Sequence, residues 1–210
     1  SRISNSLLEI LIWITVGFIS GSIPWSVIVG KLADSKDVRA VGDGNPGAAN
    51  AWKAAGWLPG IVSLVLDTAK GVTPVYLAIW YLDQPSGVMP HLGMATVALA
   101  PVVGHGWSPF LRFKGGKALA ASGGSWIAIT DGVAFLVACI FLAITHSIQK
   151  NHAITVTISI GLLLPVIIPF QMQPYIAIFW IANLSIVICK HRYEYRDGFI
   201  FRDWFASVTK

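Results

Sequence analysis

The chain alternates long apolar runs with short polar segments that collect its charges. A run approaching roughly 20 apolar residues is long enough to cross a bilayer as a helix. Seven such runs are read, at about 7–30, 57–82, 88–104, 117–131, 132–148, 153–171 and 174–190. The fourth and fifth are the weakest and meet at Thr130-Asp131-Gly132, a predicted tight turn. The first run follows Arg2 as a signal peptide's would, but it is too long for a typical h-region and continues past Gly21-Ser22-Ile23-Pro24. The expected fold class is all-α: a polytopic integral membrane protein with about seven transmembrane helices and glycine-rich cytoplasmic loops. Residues 1–210 read as a single membrane-integral domain.

Composition agrees with this pattern. The chain is 55% hydrophobic and 12% charged, with a mean hydropathy of +0.67, whereas soluble domains are about a quarter charged. Cys139 and Cys189 sit in apolar stretches without metal-ligand spacing, so no metal or cofactor is expected. The net charge of +5 points to topology and to anionic lipid or substrate rather than to nucleic acid. Lys31, Lys36, Arg39 and Lys53 fall between spans one and two, and Arg112, Lys114 and Lys117 between three and four. Lys150 falls between five and six, and Lys190, Arg192, Arg196, Arg202 and Lys210 follow span seven. The opposite loops, around 83–90, 131 and 171–174, carry no Lys or Arg. This bias predicts an outside N-terminus and a cytoplasmic C-terminus. The basic, aromatic tail 191–210 is expected on the anionic inner leaflet. Trp13, Trp80, Trp107, Trp126 and Trp204 are candidate interfacial anchors.

Two glycine-rich segments fall on the cationic side. The first runs from Asp37 to Asn50 and holds Arg39, Gly42, Asp43, Gly44, Asn45, Pro46 and Gly47. The second holds Gly104-His105-Gly106 and Phe113-Lys114-Gly115-Gly116-Lys117. Glycines let several N–H groups converge on one anion, and Arg39 and Lys117 add fixed charge, which suits a phosphate. Asp43 would repel a phosphate unless a cation such as Arg39 or Lys117 pairs with it. Asp67 and Lys70 share one helix face inside span two. They are either a packing ion pair or a sign that Lys70 faces an anionic site, with Gly71 and Pro74 distorting the helix around it. His105 and His191 lie where spans three and seven reach the cytoplasm, and a structural role and a site role both stay open. His91, His146 and His152 have no such context. The chain has no phosphate-binding G-x-x-x-x-G-K-[ST] loop, no G-x-S-x-G elbow and no H-E-x-x-H pair. No Ser or Cys has an evident base, so nothing supports a covalent acyl-enzyme.

Several of these segments recur together in a known family. Gly21-Ser22-Ile23-Pro24, Asp37-Val38-Arg39, Gly42-x-Gly44-Asn45-Pro46-Gly47-Ala48-x-Asn50, Asp67-x-x-Lys70-Gly71, Gly104-His105 and Phe113-x-Gly115-Gly116-Lys117 resemble, in order and spacing, the bacterial acyl-phosphate:glycerol-3-phosphate acyltransferases. The likeness is dense over residues 20–120 and topological beyond. It implies an inner-membrane enzyme that moves a fatty acyl group from acyl phosphate to glycerol 3-phosphate, giving lysophosphatidate. An upstream acyl-phosphate-forming enzyme is an implied partner, alongside membrane lipids. By position, the 42–50 loop (Gly42, Gly44, Asn45, Pro46, Gly47 and Asn50) would cradle the acyl phosphate. Arg39, Lys117 and His191 would hold glycerol 3-phosphate. Ser22, Lys70, His105, Gly115 and Gly116 complete the implied site.

The sequence departs from the family pattern at several of these places. Asp43 stands for Ser, Ala49 for Thr and Ala118 for Gly. Lys150-Asn151-His152-Ala153 replaces an Arg-x-x-Ser-like stretch, and Glu194 replaces Asn. Asp43 and Glu194 add negative charge, so weaker or altered phosphate binding is expected of a divergent member. A transporter or binding protein for a small organic phosphate on the same scaffold is the alternative reading.

Overall fold

A computed structural model describes residues 2–34, 37–82, 88–170 and 173–204, with side chains omitted for 2–6 and 88–89. The chain runs through α1 (Arg2–Ser22), α2 (Trp25–Asp34), α3 (Ala48–Ala55), α4 (Trp57–Tyr81) and α5 (Val88–Gly106). It continues through α6 (Leu119–Ile129), α7 (Val133–Ile148), α8 (His152–Gly161), α9 (Leu163–Ile167) and α10 (Pro174–Lys190). Short 3₁₀ turns occupy Val38–Ala40, Pro109–Leu111 and Glu194–Asp197. The only β-type pairing among the described residues is an isolated bridge between Gln149 and Phe201. The all-α expectation therefore holds.

The apolar stretch Leu7–Asp34 and helix α4 are 28 and 25 residues long and apolar enough to cross a membrane. At 1.5 Å per residue α4 spans roughly 37 Å. Their outward faces are apolar, with Leu8, Leu11, Ile19, Val65, Tyr76 and Leu77 exposed, as lipid contact requires. Helices approach closely where side chains vanish. A Cβ on Gly21 would strike the Pro101 backbone, and one on Gly104 would strike Phe18 and Ser22, so α1 and α5 meet backbone to backbone. Gly71 and Gly124 do the same for α4 and α6, against Ala121 and Thr68. Small residues at helix crossings are how membrane helices gain van der Waals contact where lipid removes the hydrophobic drive.

The core sits between α5, α6, α9 and α10. Phe179, Leu163, Ile167 and Ile176 are fully buried there, and Trp126 packs edge-on against Phe179 with centroids 4.9 Å apart. Trp126 Nε1 donates to Asn183 Oδ1 at 3.2 Å, and Asn183 Nδ2 donates to Ser122 Oγ at 2.7 Å, so these buried polar groups satisfy one another.

The expected boundaries shift in several places. Span one breaks at Ile23-Pro24, because proline cannot donate the next helical bond. Span four begins only at Leu119, after Ala118 takes a left-handed turn at φ 63°. Span six breaks at Leu162 into α8 and α9. The Thr130-Asp131-Gly132 turn forms as expected, with Asp131 and Gly132 at positive φ. Helix α4 runs unbroken through Gly71 and Pro74. Gly71 serves the α6 crossing, where its missing Cβ lets the Ala121 backbone approach. Trp126 is buried, not interfacial. The tail folds back on the protein, with Lys150 N donating to Ile200 O at 2.8 Å and Arg202 N to Ile148 O at 2.9 Å. Lys36, Lys210, loop residues 83–87 and 171–172, and tail residues 205–210 lie outside the described residues.

Candidate active site

The first glycine-rich segment is folded by its own polar side chains. Gly42 and Gly44 adopt φ of 60° and 72°, a region that costs side-chain-bearing residues strain. Between them the half-exposed Asp43 carboxylate folds back onto its own loop. Its Oδ1 accepts from Asn45 N at 3.2 Å and from Asn50 Nδ2 at 2.8 Å. Asn50 Nδ2 also donates to Asn45 O at 2.9 Å, which closes the loop onto the start of α3. The second segment is pinned from beneath. Gly116 N donates to His105 O at 3.0 Å, and Lys190 Nζ donates to Gly106 O at 2.6 Å and Gly115 O at 3.3 Å. Gly115 and Gly116 lie so close to His105 that neither has room for a Cβ.

Two contacts join the segments. Lys117 N donates to Asn45 Oδ1 at 3.1 Å, and Lys117 Nζ pairs with Asp43 Oδ2 at 2.5 Å. The same ammonium pairs with Glu194 Oε1 at 2.6 Å, from the turn after α10. A cavity of about 550 Å³ opens beneath this junction. The 43–50 loop forms one wall and Lys117–Ala120 another, with Asp67, His105, His152, Glu194 and Lys53 completing it. Residues from all four cation-bearing connections therefore meet at one end of the bundle.

The charges are closely balanced. Burial alone would raise the Asp43 carboxyl. The Lys117 ammonium and the donors on Asn45 and Asn50 outweigh it and hold the group at about 2, below its ordinary 3.8. Burial works against the charged form of Lys117, yet Asp43 and Glu194 raise its pKa above the ordinary lysine value. His191 is fully enclosed, and burial pushes its imidazole below the usual 6.5 despite the Val187 carbonyl at 2.8 Å from Nδ1. It is therefore neutral at pH 7.

Residues 11–198 match the family model for glycerol-3-phosphate acyltransferase. The chain belongs to the glycerol-3-phosphate acyltransferase family. It is 35% identical to glycerol-3-phosphate acyltransferase 1 of Thermotoga maritima over 195 residues, covering 87% of this chain and 94% of the relative. It is 33% identical to the enzyme of Rubrobacter xylanophilus over 186 residues, 89% of each chain. The glycerol 3-phosphate form of PlsY (YgiH), an integral membrane glycerol 3-phosphate acyltransferase, superposes with a TM-score of 0.76 at 24% identity, covering 96% of this chain and 99% of that one. The lysophosphatidic acid form of PlsY gives 0.73 at 25% identity, covering 89% and 90%. The protein is thus an integral membrane acyltransferase.

Of the residues singled out in the sequence, the acyltransferase brings Asn45, Gly47, Asn50, His105 and Lys117 to the cavity wall. Gly42, Gly44, Gly115 and Gly116 shape the adjoining backbone, and the Pro46 carbonyl lies against Gly116. Four others do not line the cavity. Arg39 is exposed and forked onto its neighbour Asp37, with Nη2 to Oδ2 at 2.6 Å. The Ser22 hydroxyl donates to Phe18 O at 2.7 Å inside its own helix. Lys70 is buried, held by Asp67 at 2.8 Å and by the Ile23 carbonyl at 2.8 Å, so of that pair Asp67 is the member at the cavity. His191 lies behind the wall, its ring 5.7 Å from that of His152.

His152 has no distinguishing context in the sequence, yet it lines the cavity. Lys53 read only as a topology marker, and it too reaches the wall, near Gly42. The spacing of Asn50 and Lys53 on α3, less than one helical turn apart, was the available signal for Lys53. No local signal marks His152, whose place depends on α8 and α10 packing together.

Proposed function

We propose that this acyltransferase moves a fatty acyl group from acyl phosphate to the sn-1 hydroxyl of glycerol 3-phosphate, releasing lysophosphatidate and inorganic phosphate. The observation that carries this reading is the cavity at the junction of two glycine-rich segments, with Lys53 and Lys117 on its wall. PlsY, which shares the fold, has a glycerol 3-phosphate form and a lysophosphatidic acid form, a substrate and product pair for this reaction. Acyl phosphate is a mixed anhydride, so its phosphate leaves readily. The protein needs to hold two anions close and let the glycerol hydroxyl attack the carbonyl. Loop N–H groups, Lys53 and Lys117 suit that task, and among the described residues no Ser or Cys lines the cavity. The acyl chain would extend toward lipid past the apolar side chains of Leu64 and Leu119.

The charge bias of the loops supports a cytoplasmic placement of this end, in a bacterial inner membrane, with seven spans and an outside N-terminus. Purified protein should make labelled lysophosphatidate from palmitoyl phosphate and labelled glycerol 3-phosphate. Equal turnover with palmitoyl-CoA or palmitoyl acyl carrier protein would overturn the choice of donor.

A further inference from the structure

The acidic residues on Lys117 are held very differently. Asp43 is fixed at both oxygens: Oδ1 accepts from Asn45 N and Asn50 Nδ2, and Oδ2 pairs with Lys117. Glu194 has one ion pair among the described residues, to Lys117 at 2.6 Å. Its backbone, by contrast, is anchored. Glu194 N donates to His191 O at 2.9 Å, and Asn151 Nδ2 donates to Glu194 O at 2.8 Å. The carboxylate can therefore swing while its turn stays in place.

An ammonium flanked by two carboxylates leaves a local charge of −1. A phosphate approaching this cluster is repelled unless one carboxylate withdraws. Loss of Asp43 would release two further hydrogen bonds and open the loop. Loss of Glu194 costs one contact at a group that is part-exposed. The least costly exchange is phosphate for Glu194.

We propose that Glu194 is a displaceable internal ligand of Lys117, a built-in competitor that sets the affinity of this site for a phosphate monoester. Asp43 is the permanent partner that keeps the loop folded. This rests on the reading that Lys117 receives a substrate phosphate, and it adds that the lysine is occupied beforehand by the chain's own carboxylate. Glu194 is thus a specificity-determining residue, favouring acceptors whose phosphate outcompetes a carboxylate.

The test uses the full-length protein in detergent and reads binding apart from turnover. Inorganic phosphate is titrated and followed by ³¹P line broadening for wild type, Glu194→Gln and Asp43→Asn. Glu194→Gln should bind phosphate about tenfold tighter than wild type. Its KM for glycerol 3-phosphate should fall in parallel, with kcat changed less than KM. Asp43→Asn should show no such gain and should lower thermal stability. Unchanged or weaker phosphate binding in a folded Glu194→Gln protein would overturn the proposal, as would equal tightening in both variants. If wild type binds phosphate yet yields no lysophosphatidate from palmitoyl phosphate, the reaction assignment fails while the competitor role is still decided by the titration.

Discussion

The side-chain oxygen of Asn45 accepts a hydrogen bond from the backbone N–H of Lys117 at 3.1 Å, across 72 positions of sequence. Together with the Lys117–Asp43 ion pair, this contact sets the register between the two glycine-rich segments. Asn45→Ala removes the acceptor and leaves the Lys117 N–H part-buried without it. A single hydrogen bond is worth roughly 1 kcal/mol of stability, so the protein should still fold. The segments would separate slightly at the cavity wall, and misplacement at a reacting centre is costly. The expected loss in kcat/KM is about tenfold or more, checked by steady-state assay beside a thermal melt. Wild-type kinetics would show that the join is only structural.

Lys117→Ala should nearly abolish turnover. The ammonium supplies a charge-assisted contact of roughly 1.5–3 kcal/mol to a bound phosphate. It also neutralises Asp43 and Glu194, which would otherwise face the cavity as two uncompensated carboxylates. Lys117→Gln combined with Glu194→Gln should recover part of the activity, because one repelling charge leaves with the cation. Near-normal turnover in the single alanine variant would remove this residue from the site.

Much of this architecture was legible in the sequence, for physical reasons. Bilayer length and cation bias mark spans such as α4 without any tertiary information. Glycine runs at 42–47 and 115–116 mark backbone that needs positive φ or close approach. The pairing of Asp43 with Lys117 could be anticipated, because a lone carboxylate in a phosphate loop demands a cation. Arg39 looked equally suited, but Asp37 two residues earlier reaches its guanidinium first and turns it outward. The Ser22 hydroxyl is engaged for a related reason: a serine inside a helix can donate to the carbonyl four residues back, as it does to Phe18. Lys53 follows from its spacing to Asn50 on α3, whereas His152 depends on which helix faces which, and no local pattern carries that.

The tight crossing of α4 and α6 should not tolerate branching. A Cβ at Gly124 would lie 2.8 Å from Val72 N and 3.0 Å from Gly71 Cα. Gly124→Val forces the helices apart and moves Asp67 relative to Lys117–Ala120. Overpacking of this kind costs about 1–3 kcal/mol or more. Reduced yield of monodisperse protein in detergent is the expected result, with Gly161→Ala, whose Cβ would meet no neighbouring helix within 4 Å, as the tolerated control.

The Lys117–Asp43 pair should leave a clear signature in pH titrations. The Asp43 carboxyl is depressed from 3.8 to about 2, so its contribution to stability is fully present above roughly pH 4. That contribution is lost as pH falls through 2. His191 behaves differently. Burial lowers its pKa from 6.5, so protonation is disfavoured in the folded state and stability declines as pH falls below about 6.5. Thermal melts between pH 8 and 5 should therefore show a decline that His191→Gln reduces and Asp43→Asn leaves in place. A decline that vanishes in Asp43→Asn would mean that the carboxylate titrates near neutrality, and that Lys117 does not hold it.

Direct transfer predicts that no acyl-enzyme forms. Ser22 donates to Phe18 O and Ser108 to Ser22 O at 2.6 Å, and neither hydroxyl lines the cavity. Cys139 and Cys189 sit on exposed faces of α7 and α10 and are absent from the cavity wall. His191 is enclosed and neutral, and His105 is buried beneath Gly116. With palmitoyl phosphate alone, intact-protein mass spectrometry should find only the unmodified mass, even after many turnover times. A stoichiometric palmitoyl adduct on any Ser, Cys or His would instead require a two-step mechanism. The cavity's cations would then hold the phosphate that leaves the acyl donor as the nucleophile attacks, and the acceptor hydroxyl would attack the acyl-enzyme in a second step.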